Sequence, residues 1–216
     1  MKTLKINQLR PTQLTHGMRE VTKKAEVYRK LKGHELAMAI AEKPVPIVCG
    51  PRGEAYAIDH HHVAAALWRA NVERVPVVIV RDFSTLSAAE FWLTLENNRW
   101  AYPYNALGQR MSFEDMHEHI WDLEDDVFRS LSAAVRDAGG YEKTNVPLEE
   151  FRWADFFRHR LPPPKTDAEF DALTTNGVEL ARTRAALGLP GYIGVVRPER
   201  FKRKRLRIGN FQRREQ

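Results

Sequence analysis

The sequence predicts an α+β fold: a small mixed-sheet N-terminal domain followed by a helical region. Three observations predict it. Residues 1–82 interleave short β-branched runs with one strongly periodic helix. From Thr85 onward the patterning is helical. Gly139-Gly140, Asn145-Val146-Pro147 and Pro162-Pro163-Pro164 cut that second part into pieces of ordinary helix length. The expected divisions are an α/β domain over 1–84, a helical region packed on it over 85–190, and a basic tail over 191–216.

Leu4 to Leu9 alternates apolar and polar residues as a half-buried strand does, and Arg10-Pro11-Thr12 is expected to break it. Glu20 to Ala41 is helical in composition, with Gly33 dividing it in two. Ile47-Val48-Cys49 and Tyr56-Ala57-Ile58 read as strands of a hairpin joined by the turn Gly50-Pro51-Arg52-Gly53. Val63, Ala66, Leu67 and Ala70 fall at i, i+3, i+4 and i+7, one packing face of a helix over 60–70. Val75 to Val80 is rich in β-branched residues and reads as the next strand. Ser87 with Glu90 three residues later forms a capping box, and the helix it starts leads to an aromatic loop from Asn97 to Tyr104. Further helices are expected over 113–122, 125–138, 148–160 and 167–187.

Bulk properties bound the function. No apolar run approaches the roughly 20 residues of a spanning helix, and the start Met1-Lys2-Thr3-Leu4-Lys5 lacks the pattern of a secretory signal. A single cysteine, Cys49, excludes an internal disulfide. These features set the expectation of a bacterial-type cytoplasmic protein with no membrane partner. The formal charge of +6 is unevenly spread. Residues 197–216 hold nine Lys/Arg and two Asp/Glu, a net of +7, which leaves residues 1–196 at −1. Such a block engages nucleic-acid phosphates or acidic protein, or simply keeps a chain end in solution.

The chemistry concentrates in Asp59-His60-His61-His62, where a strand gives way to a helix. Amides at a helix start favour anions. Asp59 has two readings: the N-cap of the following helix, or a carboxylate that holds Mg²⁺ or orients a hydroxyl beside a bound phosphate. His61 and His62 are candidates for acid/base work or phosphate binding, and His60 for ligand binding, because a protonated imidazole pairs with phosphate oxygens. Successive histidines at a helix start point in different directions, so the three cannot share one metal. Glu20, with His16 nearby, is a candidate general base or merely a favourable charge at a helix start, and Arg19 a candidate cofactor-binding residue.

Several segments together resemble the ParB/sulfiredoxin-like superfamily, in particular its ParB-like nuclease group. They are Leu9-Arg10-Pro11-Thr12-Gln13, Gly17-Met18-Arg19-Glu20-Val21, Tyr56 to His62 with its Ala/Leu helix, and Val75-Pro76-Val77-Val78-Ile79. Arg129-Ser130-Leu131, Gly139-Gly140-Tyr141 and Phe151 to Phe156 extend the similarity over most of 5–160. The resemblance implies a pocket at 58–63. It also implies a relation to partitioning proteins that bind and hydrolyse CTP, to sulfiredoxin, and to a free serine kinase that uses ADP. The kinase's Val-Asp-Gly-His-His-Arg element is similar to Ile58 to Val63, which matches Asp59 and His62 to positions important for phosphoryl transfer. Here His60 stands for the glycine, crowding the anion site, and Val63 for the arginine, removing a phosphate ligand. Sulfiredoxin's reactive cysteine would fall where this chain has histidines, and the Gly-Glu-Arg-Arg element of partitioning proteins is absent.

Two functions follow as expectations. One is hydrolysis or transfer at a phosphoester, of nucleic acid or of a nucleotide, with Asp59, His61, His62 and Glu20 as the reacting groups. The other is a non-catalytic nucleotide- or nucleic-acid-binding module that uses the basic tail.

Overall fold

The structure, a computed structural model, describes residues 2–194, so the basic block at 197–216 lies outside the described residues. It is an α+β fold. Seven strands are β1 (Thr3–Lys5), β2 (Leu9–Pro11), β3 (Thr15–His16), β4 (Val45–Cys49), β5 (Ala55–Ala57), β6 (Arg74–Asp82) and β7 (Glu124–Asp125). Seven helices are α1 (Met18–Lys30), α2 (Gly33–Ala41), α3 (His61–Arg69), α4 (Ala88–Asn97), α5 (Val127–Asp137), α6 (Glu149–Arg158) and α7 (Asp167–Ala181). A five-stranded mixed sheet runs in the order β1-β6-β4-β5-β2. Within it β4 and β5 form the antiparallel hairpin, while β4/β6 and β2/β5 pair in parallel.

The apolar stripe of α3 explains its place. Val63, Ala64, Ala66 and Leu67 are almost fully buried, in one core with Ile6, Leu9, Val21, Val45, Ile47, Val75 and Val77. Ile120 and Leu123 pack into the same core from beyond residue 85, so the helical region and the sheet share buried side chains. A second core is aromatic: Trp153, Phe157, Phe128, Leu131 and Val135 bring α5, α6 and α7 together. Trp153 stacks on Tyr141 at 4.2 Å and donates its indole N–H to the Pro190 carbonyl at 2.8 Å. The short parallel pair of β3 and β7 then ties the start of α1 to the start of α5. That tie sets the two helices beside each other, and the functional side chains depend on it.

Three expectations about local structure are corrected. The strand expected over Leu4–Leu9 is two strands, separated by a 3₁₀ turn at Ile6–Gln8 that buries Ile6. The Lys5 amide donates to Oε1 of Gln8, which holds the turn. Arg10 and Pro11 continue β2 rather than ending it, because β2 is an edge strand where a residue without N–H costs no ladder bond. The helix expected over 113–122 is two 3₁₀ turns, Phe113–Asp115 and Ile120–Asp122, since the reciprocal Ser112/Asp115 cap encloses only one turn. The last helix stops at Ala181, where the Arg182 and Thr183 amides tighten onto carbonyls three residues back. Gly33 does divide the first helical stretch, and Ser87 does cap α4. Among the described residues no helix is long and apolar enough to cross a membrane.

Candidate functional site

A cavity of about 720 Å³ opens between the β5–α3 junction and the α5–α6 side of the molecule. The sheet side contributes His16, Glu20, Lys24, Asp59, His60, His61 and His62, and the helical side contributes Arg129, Arg136, Lys143, Glu149 and Glu150. Three of the five non-glycine residues with positive φ line it: His60, Arg99 and Leu148, at 60°, 58° and 61°. Sparsely populated backbone conformations of this kind gather where a site's geometry is imposed by its surroundings.

Asp59 is not the N-cap of α3; that correction comes first. His60 is the N-cap, in the left-handed conformation, and its carbonyl accepts from the Val63 and Ala64 amides. Asp59 stands one residue earlier, exposed at the mouth, and its Oδ1 accepts from the His60 amide at 2.6 Å. No side chain caps the helix, so nothing of that kind covers its first amides. His60 is anchored by its ring, whose Nδ1–H donates to the Pro44 carbonyl at 2.8 Å.

The three histidines have separate environments. His61 is buried, and its Nε2 accepts from the Thr12 amide at 3.1 Å while Thr12 donates its hydroxyl to the Ala57 carbonyl. That acceptor role fixes the proton on Nδ1, and burial pulls the imidazole down to about 4. His61 is thus committed to joining β2 and β5 through Thr12, and its Nε2 lone pair is not open to a ligand. His62 does face the cavity. Its Nε2 lies 3.6 Å from Oε1 of Glu20, and burial, reinforced by the Arg129 and Lys24 cations, holds it neutral well below the ordinary imidazole range. Burial likewise lowers His16, whose Nδ1 has no partner.

Glu20 is the hub. Besides His62, it meets Lys24 at 3.5 Å and Nη1 of Arg129 at 3.7 Å. Arg129, itself buried, reaches across to Glu150 at 4.0 Å, and Arg136 meets the same Glu150 oxygen at 2.5 Å. Arg129 is held from below, because Asp126 caps α5 by accepting from the Phe128 and Arg129 amides. Arg19 does not join this group. It points to the outer face, where it meets Asp167 at 2.5 Å and stacks over Phe170 at 4.0 Å.

The cavity's far wall escaped the sequence reading. Arg129, Arg136, Glu149 and Glu150 lie far from the histidine run and are not among the candidate residues named from the sequence; Arg129 enters there only within a segment that carries the resemblance. One signal was available: Arg129 and Arg136 are seven residues apart, hence on one side of α5, a helix whose other positions are mostly apolar or small. As for a metal, no group of three or more His, Cys, Asp or Glu side chains is placed to hold one among the described residues. A single Asp59 carboxylate does not make a Mg²⁺ cage built by protein alone.

The neutral state of these imidazoles has a consequence for stability. The unfolded chain binds a proton on each below about 6.5, whereas folded His61 resists protonation until about 4. The unfolded state therefore binds more protons in that interval, and stability falls as pH drops from 6.5 toward 4. Urea unfolding midpoints should decline over this range in wild type, with a shallower slope in His61→Asn. Equal slopes would show that His61 is not held neutral.

None of the curated proteins matches the chain. Among solved structures it is similar to protein Atu1540 from Agrobacterium tumefaciens, with 41% identity and a TM-score of 0.81, over 90% of this chain and 98% of that one. The C-terminally truncated chromosome-partitioning protein ParB from Caulobacter crescentus, solved with its centromeric parS site, aligns at 14% identity over 85% of this chain and 93% of that one. Its TM-score of 0.30 is too low to speak for a shared arrangement. The family profile described as "Putative ParB-like nuclease" matches residues 2–159, most of the chain, and to that family the chain belongs.

Proposed function

We propose that the cavity binds a phosphate-bearing ligand, a nucleotide or a nucleic-acid end, and catalyses hydrolysis or transfer at its phosphoester. The observation that carries this reading is the Glu20–His62 pair beside Arg129 and Lys24. A neutral imidazole accepts a proton at ordinary pH, so the His62 ring takes it from the attacking hydroxyl, Glu20 beside Nε2 stabilises the imidazolium that forms, and the P–O bond to the leaving oxygen breaks with the imidazolium returning a proton to that oxygen. Arg129 and Lys24 supply positive charge where the phosphoryl oxygens gain negative charge. The uncapped start of α3 offers amides to the same oxygens. Mg²⁺ brought by such a ligand would be held by Asp59 at the mouth, adding positive charge to the phosphate. Asp59 alone would repel a phosphate, which is why the reading pairs it with a cation.

The +7 charge of residues 197–216 favours a second, non-catalytic reading, in which the tail binds nucleic-acid phosphates and the cavity only senses a ligand. One experiment addresses both. Wild type and Asp59→Ala are melted with nucleotides, short oligonucleotides and phosphorylated metabolites, each with and without Mg²⁺, and product formation is followed in parallel. A ligand at 100 times its Kd raises stability by about 2.7 kcal/mol. The catalytic reading expects a ligand that stabilises wild type, is converted by it, and loses its Mg²⁺-dependent shift in Asp59→Ala. A stabilising ligand that is never converted would favour the second reading. No shift with any phosphate compound would sink both.

A further inference from the structure

Glu149 is nearly fully buried, lines the cavity, and has no cation within ion-pairing distance among the described residues. Its Oε2 accepts from both the amide and the hydroxyl of Thr144, at 2.9 and 2.5 Å, which fixes the carboxylate's orientation. Its Oε1, equally buried, has no partner. An isolated buried carboxylate oxygen is costly unless a donor reaches it. The neighbouring Leu148 sits in a left-handed conformation that begins α6, so the chain accepts backbone strain at the residue that delivers Glu149 to the wall. The buried Arg129 cation is complementary. Arg129 Nη1 is also buried and makes no hydrogen bond, standing 3.7 Å from Glu20.

Among the described residues the side chains lining the cavity thus include an unmet donor on Arg129 and an unmet acceptor on Glu149, besides the unpartnered Nδ1 of His16. We propose that Glu149 Oε1 receives an ammonium or amino N–H of the ligand, so that the cavity selects a phosphate compound that also carries a nitrogen donor. This inference rests on the phosphate-binding reading above and narrows it to amine-bearing phosphates. A compound with phosphate alone leaves the Glu149 oxygen unsatisfied, and an amine alone leaves Arg129 so. Two nitrogen sources share this chemistry, an alkyl ammonium and the exocyclic amino group of a nucleobase.

The test uses the full chain and matched probes. Phosphoethanolamine is compared with propyl phosphate, and 3-aminopropyl phosphate with butyl phosphate, pairs that differ by an ammonium in place of a methyl group. CMP is compared with UMP for the nucleobase source, by titration calorimetry. Wild type should bind the member with the amino or ammonium group in at least one pair about 10- to 100-fold more tightly, the range for a charge-assisted hydrogen bond. Glu149→Gln retains an acceptor for Thr144, and it should bring the two members within about twofold while leaving the partner without the amino or ammonium group unchanged. Without ligand, Glu149→Gln should melt no lower than wild type, because it removes a buried charge that no cation balances among the described residues.

Preference confined to the alkyl pairs would identify an alkyl ammonium, and preference confined to CMP a nucleobase. Equal binding within every pair by wild type, with phosphate affinity intact, would overturn this proposal alone. So would a preference that survives Glu149→Gln, or a lowered melting temperature in that variant. Binding of no phosphate compound would overturn the phosphate reading as well.

Discussion

His62→Ala is expected to lower turnover of the cavity's phosphoester ligand about 100- to 10,000-fold, the usual consequence of removing a positioned acid/base group. Glu20→Gln should fall in the same range, and the double variant should be little worse than either single one. The two groups act as a unit: Nε2 of His62 and Oε1 of Glu20 are 3.6 Å apart, and one without the other neither takes nor stabilises the proton. Binding should persist in His62→Ala, since Lys24, Arg129 and the α3 amides remain. The loss therefore belongs in kcat rather than in affinity. The pH profile supplies a second check. Burial, Arg129 and Lys24 keep His62 neutral, so the base form is present throughout neutral pH and is lost only once pH falls well below the ordinary imidazole value. In wild type kcat/KM should stay level on the acidic side of neutrality, then drop. Full activity in His62→Ala on a ligand that wild type converts would remove this pair from the mechanism.

The parts of this picture that the sequence made legible share one property: their information is local. The α3 face repeats within nine residues, Ser87 and Glu90 cap across a single turn, and Asp59 to His62 are contiguous. What was misread depended on partners distant in the chain. Nothing beside His61 in sequence announces that the Thr12 amide will occupy its Nε2, and nothing beside Arg19 announces Asp167 and Phe170. Ser112 to Asp122 carries helix-compatible residues, yet Ile120 and Leu123 must reach the core under α3, and two short 3₁₀ turns joined by non-helical chain place them there. Of the two readings of Asp59, the N-cap is the one the structure removes. A carboxylate ahead of a helix usually caps it, but His60 adopts a left-handed conformation and takes the cap position itself, which leaves Asp59 at the cavity mouth. Glu20 is legible as a candidate general base or a charge at a helix start, while its contact with Arg129 depends on α5, distant in the chain.

Arg158→Leu is expected to cost about 3–5 kcal/mol of stability, the range for breaking a buried ion pair by removing one partner. Asp126 is almost completely buried, and Arg158 meets its Oδ2 at 2.5 Å while also pairing with Asp155, which the Tyr102 hydroxyl holds at 3.2 Å. Burial pushes the Asp126 carboxyl above its ordinary value and Arg158 opposes that push. Without the guanidinium only the Phe128 and Arg129 amides oppose the push, so the folded variant binds a proton more readily than the unfolded chain does. By linkage, its deficit should be smallest in acid and should grow as pH rises through the elevated Asp126 value. Asp126→Asn in the Arg158→Leu background removes the stranded charge and should recover a large part of the loss, a coupling that a double-mutant cycle in urea reads directly. The effect should also reach the cavity. Asp126 caps the α5 start by accepting from the Arg129 amide, so a disturbed cap shifts the residue that contacts Glu20. Arg158→Leu should therefore bind phosphate ligands more weakly than wild type even at temperatures where it is fully folded. If its stability were near wild type, or its deficit independent of pH, the Asp126–Arg158 pair would not be what holds α5 and Arg129 in place.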